Sequence, residues 1–312
     1  MKNNRFITII PLYNKEAAIE RSITSILAQT IATDLLIIND GSTDASLSIA
    51  SEFKSESIII ISQENQGVSN ARNKGISYAK SHNYDYILFL DADDYWETNH
   101  VEEINKCILK FPNATVFANN YKIKKSATTF EATLFSNLET DTSRELDDFF
   151  TYNYLNSILF SSSFGFKTSI TSLYDEEITH SEDIDFYLKL GLSEKIVFNP
   201  TVTVIKDETA VNRSHLINLE NRTYTDFDIY EKFTPQYKGL KKFLDINRYA
   251  LAIEFIMANQ NKEAQQLVSK MDRSNLTTKQ QKLLQLSSWQ LKLLKRIHHR
   301  LSNTGLRIRT GR

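Results

Sequence analysis

The sequence has few cysteines, glycines and prolines and no long apolar segment. Its single cysteine, Cys107, excludes an internal disulfide and a cysteine-based metal site. With eight glycines and four prolines the chain is not collagen-like, and no G-x-G-x-x-G motif follows a predicted strand, which argues against a dinucleotide-binding oxidoreductase. The longest apolar runs, at 58–61 and 86–90, are far shorter than the roughly 18 residues that a membrane-spanning helix needs.

Charge is balanced over the 312 residues but unevenly distributed, with 37 Lys and Arg against 38 Asp and Glu. Residues 273–312 contain ten Lys or Arg and no Asp or Glu, so an acidic body precedes a basic end that is expected to meet an anionic partner. The composition is 41% hydrophobic and 24% charged, as in ordinary globular proteins. The polar start and short apolar run of the N-terminus predict a first strand rather than a signal peptide, and hence a cytoplasmic protein.

The first 120 residues alternate between strand and helix patterns. This alternation predicts an α/β fold whose mainly parallel sheet is covered by helices on both faces. Ligands of such sheets bind beyond the carboxyl ends of the strands. The predicted strands are 6–10, 35–38, 58–62, 86–90 and 115–119, and the predicted helices are 16–29, 44–53, 68–81 and 101–111.

The remainder of the chain predicts a less regular segment and then only helices. Residues 121–148 are rich in Thr and Lys and indicate loops or hairpins near an acceptor cleft. We expect an α/β domain over residues 1–210 and a helical region over 211–312. Further predicted elements are a helix over 184–192, two edge strands over 195–199 and 201–205 divided by Pro200, and helices over 237–259, 262–271 and 278–301.

The most informative motif is Asp91-Ala92-Asp93-Asp94, at the end of a predicted buried strand. Three adjacent carboxylates repel one another unless a cation or hydrogen-bond donors compensate them. Oxygen ligands favour a hard divalent ion such as Mg²⁺ or Mn²⁺, which commonly keeps positions for water and substrate phosphates. The alternative is that Asp93 or Asp94 simply caps the next helix.

Other polar residues after strands are candidates for nucleotide binding. Asp40 is able to accept a hydrogen bond from the imide of uracil, or is simply the first residue of an Asp-Gly turn. Tyr13 offers a ring to a base, or is a packed aromatic. Arg72 and Asn73 reach a base or phosphate, or lie on a solvated helix face.

The pair Glu182-Asp183 begins a predicted helix, where the helix dipole stabilises an ionised carboxylate. A carboxylate at this position either acts as a general base toward an acceptor hydroxyl or caps the helix. His215 is retained as a third metal ligand, although a lone histidine is more often a surface or packing residue.

Five segments together resemble glycosyltransferase family 2, a family of inverting GT-A enzymes, over about residues 5–205. The sequence departs from the usual family pattern at Asn39, where an acid is usual, and at Ser181, where glycine is usual. The segments are PLYNKE at 11–16, INDGSTD at 38–44, NQGVSNARNKGI at 65–76, LDADDYW at 90–96 and SEDIDF at 181–186.

The resemblance implies a GT-A (Rossmann-like) fold and a role for each matched residue. Asp183 would be the catalytic base. The metal, Mn²⁺ or Mg²⁺, would be bound by Asp91 and Asp93, and by His215 if that residue takes part. The acceptor or sugar would be contacted by Asp94, Trp96 and Glu182. The nucleotide sugar would be contacted by Pro11, Tyr13, Asn14, Glu16, Asp40, Arg72, Asn73, Asp91 and Ala92.

The implied activity is metal-dependent, inverting transfer of a hexosyl or N-acetylhexosaminyl group. The expected donor is a nucleoside diphosphate sugar, in particular a UDP-sugar, and the expected acceptor is a hydroxyl of a growing, in some cases lipid-linked, surface glycan of the capsule, lipopolysaccharide or exopolysaccharide type. The alternatives are a non-catalytic sugar-nucleotide-binding or scaffold protein on the same fold, and a phosphatase with a nucleophilic Asp. A phosphatase would place its D-x-D loop after the first strand, whereas here the motif follows the fourth.

The basic end has a second pattern, because apolar residues recur at helical spacing from Leu286 to Leu301. Such a helix either lies in the headgroup region of an anionic membrane over residues 285–312, with Trp289 at the interface, or packs on the body. The first interpretation makes the protein peripheral on the inner face of the cytoplasmic membrane. Nucleic acid is not expected, since no recognition motif accompanies the charge.

Overall fold

The computed structural model describes residues 4–139, 141–210 and 222–303. The strands of this part are β1 (Phe6–Leu12), β2 (Asp34–Asp40), β3 (Ile58–Gln63), β4 (Tyr86–Phe89), β5 (Tyr95–Trp96), β6 (Val116–Lys124), β7 (Phe130–Ala132), β8 (Arg144–Glu145), β9 (Phe164–Lys167) and β10 (Ile196–Asp207). Its α-helices are α1 (Ile19–Leu27), α2 (Ser46–Ser51), α3 (Val68–Ser81), α4 (His100–Lys110), α5 (Glu182–Ser193), α6 (Leu240–Met257), α7 (Asn261–Ser269), α8 (Thr278–Leu283) and α9 (Ser288–Asn303).

The strands form one mixed sheet in the order β3-β2-β1-β4-β9-β6-β10-β5, with β7 on β6 and β8 on β10. Strands β1 to β4 pair in parallel, and so do β6 and β10. Because β9 is antiparallel to both β4 and β6, these two groups of strands point the same way. The carboxyl ends of six strands therefore meet at one edge, which confirms the predicted mainly parallel α/β fold.

Side chains of β1 alternate between two apolar clusters on opposite faces of the sheet. Ile7 and Ile9 belong to one cluster, whereas Phe6, Ile10 and Leu12 belong to the other. A strand buried on both faces is expected to be almost continuously apolar, and β1 is, with Thr8 as its one polar residue. Burial on both faces leaves only the strand ends open to a ligand.

Strand β9 is absent from the sequence-based prediction, although it lies between β4 and β6 near the middle of the sheet. It has only four residues, in which the buried Phe164 and Phe166 alternate around Gly165. A Cβ on Gly165 would lie 3.0 Å from the backbone oxygen of Ile87, so glycine permits the close strand pairing. This alternation is the signal that could have identified the strand.

Two predicted elements are wrong. The edge strands predicted at 195–199 and 201–205 form the single strand β10, which lies between β6 and β5. Its pairing with β6 shifts register between Asn199 and Val202, so a bulge accommodates Pro200, which has no N–H to donate.

The helix predicted at 278–301 is two helices, α8 and α9. A capping box between Thr277 and Gln280 begins the first. The backbone N–H and the hydroxyl of Ser287 donate to Gln290 at 2.9 and 3.0 Å at the start of the second. Each start is the Ser/Thr-x-x-Gln signature of a helix N-terminus.

Helix α6 of the C-terminal region packs against the α/β region. Phe243 of α6 lies with its ring centroid 5.4 Å from that of Phe150, and both belong to the apolar cluster that includes Ile7 and Ile9. The predicted division at residues 210 and 211 borders residues outside the described ranges and stays a prediction. No helix in the described ranges is long and apolar enough to cross a membrane.

The close approach of α3 to β1 predicts that Gly75→Ala destabilises the protein. A Cβ at this position would lie 2.6 Å from Cγ2 of Ile9, so α3 or Ile9 must move. We expect the free energy of unfolding to fall by about 1–3 kcal/mol, as for other overpacked cores. Urea denaturation measures the change. Ser77→Ala, at an exposed position of the same helix, is the matched control and should leave the midpoint nearly unchanged.

Candidate active site

The loop after β1 is tied to the loop after β2 by side chains of the PLYNKE segment. Asn14, in the left-handed region with φ of 49°, accepts a hydrogen bond from the backbone N–H of Thr43 at 2.8 Å. Glu16 accepts one from the backbone N–H of Ala45 at 2.9 Å. Both residues were predicted to contact the nucleotide, and the structure shows them holding the neighbouring loop. Tyr13, 46% exposed, leaves its ring accessible at this edge.

Asp40 lies at the end of β2, only 3% exposed, and organises the entry to α3. Its Oδ1 accepts hydrogen bonds from Gln63 Nε2 and the backbone N–H of Gln66, and its Oδ2 accepts one from the backbone N–H of Gly67, each at 2.8 Å. Gly67, with φ of 91°, directly precedes the helix. Asp40 thereby sets the position of α3, and its contact with a base stays a prediction.

The buried side chain of Arg72 joins the end of β4 to the start of α5. Its guanidinium donates to Asp91 Oδ1 at 2.8 Å and to Glu182 Oε1 at 3.3 Å, and it lies over the ring of Tyr174. Segments more than 100 residues apart in sequence are joined by these contacts. The neighbouring Asn73 has a structural contact, because its amide donates to the backbone oxygen of Tyr174 at 2.9 Å.

The Asp91-Ala92-Asp93-Asp94 turn is held by two hydrogen bonds of Ser162, a residue that was not predicted to belong to the site. The Ser162 hydroxyl donates to Asp94 Oδ2 at 2.6 Å and accepts from the backbone N–H of Asp91 at 3.1 Å. Burial, and then the charges of Asp93 and Asp91, raise the pKa of Asp94 well above its usual range. The run of three serines before β9 is the only sequence signal for this role, and it is weak.

Ala92 and Trp96 of the LDADDYW segment have their side chains in the apolar core rather than in the cleft. Trp96, 4% exposed, donates from Nε1 to the backbone oxygen of Ser162 at 2.7 Å and stacks on His100. Ala92 is also in the apolar core. The structure therefore places Trp96 in the core, where the predicted contact with a sugar or acceptor would require it to leave a packed, hydrogen-bonded position.

The donor set at the turn suits a divalent cation shared with a substrate. Asp93 is ion-paired with Lys15 at 2.7 Å and Asp91 with Arg72 at 2.8 Å, so each carboxylate keeps one oxygen that has no partner among the described residues. Two carboxylates plus phosphates and water are an ordinary set for Mg²⁺. No group of three or more His, Cys, Asp and Glu able to hold a metal occurs in residues 4–139, 141–210 and 222–303, and His215 lies outside these ranges.

Glu182 and Asp183 begin α5 with different surroundings. Asp183 Oδ1 accepts the backbone N–H of Ile184 at 2.9 Å. Burial, and then the charge of Asp183, raise the pKa of Glu182, which is ion-paired with Arg72. Ser181 before them has φ of 61°, a left-handed conformation that strains a residue other than glycine by roughly 1–2 kcal/mol.

The acidic segments share one electrostatic environment around Tyr174. The pKa of Tyr174 is raised first by burial and then, against the opposing charge of Arg72, by Asp91, Asp183 and Glu182. The residues predicted to bind the donor and those predicted to activate the acceptor are thus brought together. Tyr174 itself was not predicted.

A cleft of about 280 Å³ at this edge has Lys15, Arg21 and Asp207 among its lining residues. Arg21 and Asp207 also contact the turn, because Arg21 donates to the backbone oxygen of Asp93 and the backbone N–H of Asp207 donates to Asp94, each at 2.9 Å. Burial alone would raise the pKa of Asp207, but hydrogen bonds from Thr209 and Lys124 lower it to about 2. The cleft therefore contains charged groups of both signs and suits a polar ligand.

Sequence comparison finds relatives named as glycosyltransferases and as teichoic acid biosynthesis proteins. The chain is 35% identical over 127 residues to the glycosyltransferase GlyA of Streptococcus pneumoniae, covering 40% of this chain and 18% of that protein. It is 33% identical over 201 residues to the minor teichoic acid biosynthesis protein GgaA of Bacillus subtilis, covering 61% and 44%. The chain thus spans less than half the length of these curated relatives.

Structural comparison identifies the same architecture in S. aureus TarS. The crystal structure of TarS 1–349 in complex with UDP matches with a TM-score of 0.56 and 16% identity, covering 87% of this chain and 88% of that one. The complex of the same protein with UDP-GlcNAc matches with a TM-score of 0.56 and 18% identity, covering 90% and 78%. At this level of identity the likeness establishes the fold, which is the predicted GT-A fold.

The family itself is established by a sequence model rather than by these pairwise matches. The model for glycosyl transferase family 2 matches residues 7–175, more than half of the 312-residue chain. This range includes β1 to β4, the Asp91-Ala92-Asp93-Asp94 turn and Arg72. The chain therefore belongs to glycosyl transferase family 2.

Proposed function

We propose that the protein transfers a sugar from a UDP-sugar to a hydroxyl of a growing surface glycan, with inversion at the anomeric carbon. The observation that carries this proposal is the double ion pair of Arg72 with Asp91 and Glu182, which unites a donor-side and an acceptor-side motif. The UDP and UDP-GlcNAc complexes of TarS support the donor class. The teichoic acid role in the name of GgaA supports the acceptor class.

On the donor side, the exposed ring of Tyr13 offers a face for the base, and Asp40 lies at the end of the next strand to accept the uracil imide. Asp91 and Asp93 would hold a divalent cation, which when bound supplies positive charge to the departing diphosphate. Lys15 is ion-paired with Asp93, which places its ammonium close to the position proposed for the diphosphate. The nucleotide is thereby oriented with its diphosphate at the turn.

On the acceptor side, Asp183 is proposed as the base. Glu182 is ion-paired with Arg72, whereas the Asp183 carboxylate has, among the described residues, a hydrogen bond from the backbone N–H of Ile184 and no ion pair. Asp183, in the first turn of α5, accepts the proton of the attacking hydroxyl. A single displacement from the face opposite the diphosphate inverts the configuration and needs no covalent intermediate.

Asp183→Asn is expected to lower the turnover of sugar transfer by about 10²- to 10⁴-fold, because an amide cannot accept the proton. The affinity for UDP should be nearly unchanged, since Asp183 is not among the residues proposed to bind the donor. Release of UDP from a panel of UDP-sugars with Mn²⁺ measures turnover, and calorimetry measures UDP binding. Glu177→Gln removes one nearby exposed carboxylate as a control.

Turnover near that of the unmodified protein in Asp183→Asn would remove Asp183 from its role. A chain that binds UDP but releases none from any UDP-sugar would instead be a sugar-nucleotide-binding protein.

Asp93→Ala is expected to abolish the contribution of Mn²⁺ to UDP binding, because the variant lacks one of the two carboxylates proposed to hold the cation. Calorimetric titration of UDP with and without Mn²⁺ measures this contribution. The titration without metal serves as the internal control, and we expect it to change little. A stimulation by Mn²⁺ as large as in the unmodified protein would contradict the proposed metal site.

Exposed apolar side chains on α9 support the membrane interpretation of the basic end. Helix α9 buries Leu291, but Trp289 (66% exposed), Leu293 and Ile297 form an exposed stripe at intervals of four residues. Lys292 and its basic neighbours lie on the same helix. An apolar stripe next to basic side chains matches the interface of an anionic membrane. We therefore propose that α9 brings the protein to the cytoplasmic face of the membrane, where a lipid-linked acceptor would be found.

A variant with Trp289, Leu293 and Ile297 all changed to Gln is expected to lose most of its binding to vesicles. Removing the apolar stripe removes the hydrophobic part of the attraction and leaves only the charge. Co-sedimentation with anionic phosphatidylglycerol vesicles measures binding, and phosphatidylcholine vesicles should bind weakly in all cases. Leu109→Gln, at another exposed leucine, is the control. Equal sedimentation of the triple variant and the unmodified chain would exclude α9 as the membrane contact.

A further inference from the structure

Ser181 has a backbone conformation that its own side chain does not explain. It has φ of 61° and ψ of 30°, and it directly precedes Glu182 and the proposed base Asp183. The Ser181 side chain makes no capping hydrogen bond to α5. Left-handed conformations of residues other than glycine persist only where surrounding contacts hold them, and they cluster at functional sites. The contacts that hold this one are therefore informative.

The backbone of Ser181 is contacted from the C-terminal region. The hydroxyl of Thr225 donates to the backbone oxygen of Ser181 at 3.0 Å. Just before Ser181, the backbone N–H groups of Thr179 and His180 both donate to the oxygen of Thr223, at 3.0 and 3.2 Å. The backbone N–H of Thr223 in turn donates to the hydroxyl of Thr179 at 3.0 Å. Residues 223–225 thus run alongside the residues that lead into the Ser181 turn.

The imidazole of His180 connects the same turn to α6. Its Nε2 lies 3.0 Å from Oε2 of Glu254, and its Nδ1 lies 2.9 Å from a guanidinium nitrogen of Arg222. Because a guanidinium can only donate, Nδ1 is the acceptor and Nε2 carries the proton donated to Glu254. His180 is thereby oriented by partners on both sides.

A third contact lies on the other side of the Glu182-Asp183 pair. The hydroxyl of Tyr230 donates to Oδ1 of Asp185, which is buried in the first turn of α5. The C-terminal region therefore contacts the chain both immediately before and immediately after the two carboxylates.

We propose that Thr225 and the His180–Glu254 pair are positioning residues for Asp183. Through them, the C-terminal region orients the proposed base. The inference rests on the proposed function, because it assumes that Asp183 accepts the acceptor proton. These residues hold Ser181 in its left-handed conformation and so fix the direction in which the Asp183 carboxylate faces. They are positioning residues rather than catalytic ones, because they act on Asp183 through the backbone that precedes α5.

The first test is Thr225→Val, which keeps the shape of the side chain and removes the hydrogen bond to Ser181. Turnover, measured as UDP release from UDP-GlcNAc with Mn²⁺, should fall about 10- to 100-fold, as expected for a misplaced catalytic group. UDP affinity measured by calorimetry should stay within about twofold, because the Asp40, Arg72 and Asp91 contacts are retained. Thr225→Ser, which keeps the hydroxyl, should have nearly the turnover of the unmodified protein.

The decisive test combines Thr225→Val with Ser181→Gly. Glycine adopts the left-handed conformation without strain, so the double variant should recover most of the lost turnover. A variant that had merely lost packing at Thr225 would not be rescued. Hydrogen exchange of residues 181–186 gives a readout that does not need activity. We expect faster exchange in Thr225→Val, and exchange close to that of the unmodified protein in Thr225→Ser.

The outcomes separate this inference from the proposed function. If Asp183→Asn retains turnover, the proposed base is wrong. If Asp183→Asn is inactive while Thr225→Val has normal turnover and normal exchange at 181–186, the base stands and the positioning role is overturned. Loss of UDP affinity in parallel with turnover in Thr225→Val, or no rescue by Ser181→Gly, also overturns it, because either result indicates a general structural defect.

Discussion

The candidate site depends on one buried guanidinium. Arg72 is enclosed between Asp91, Glu182 and the ring of Tyr174, and its charge is compensated only while both carboxylates are in place. Breaking a buried ion pair by removing one partner is strongly destabilising, because the remaining charge stays buried and uncompensated. This requirement links the end of β4, the helix α3 and the start of α5. The relative positions of Asp91 and Glu182 are thus set by their shared ion pairs with the Arg72 guanidinium.

The same principle explains how the protein tolerates so many acidic groups at one edge of a sheet. Asp93 is compensated by Lys15, and Asp207 by Arg21 and Lys124. Asp94 has no ion pair among the described residues. It is held by hydrogen bonds from Ser162 and the backbone of Asp207, and its pKa is raised. In the proposed function, a divalent cation and a diphosphate would enter together by exchanging with these ion pairs.

Elements with a strong local pattern were predicted well, and elements defined by their neighbours were not. The helix predicted over 68–81 agrees with α3, because its apolar positions and its glycine entry are local features. Strand β9 has only four residues, and its place between β4 and β6 is determined by pairing with distant strands. Trp96 shows the same limit for a side chain. Its position in a promising motif suggested a ligand contact, whereas packing against His100 placed it in the core.

The sequence alone predicts the alternation of strands and helices, the family resemblance and the set of acidic residues after the strands. Each of these depends on residues that are close together in the chain. The tertiary structure alone decides which of these residues meet, because Arg72 and Glu182 are 110 positions apart and only the order of the strands brings them together. It also shows that Asn14, Glu16 and Asp40 accept hydrogen bonds from backbone N–H groups of neighbouring loops. No local sequence pattern reveals these partners. The conformation of Ser181 is likewise decided by the tertiary structure. Its backbone is contacted by Thr225, which follows α5 and β10 in the chain.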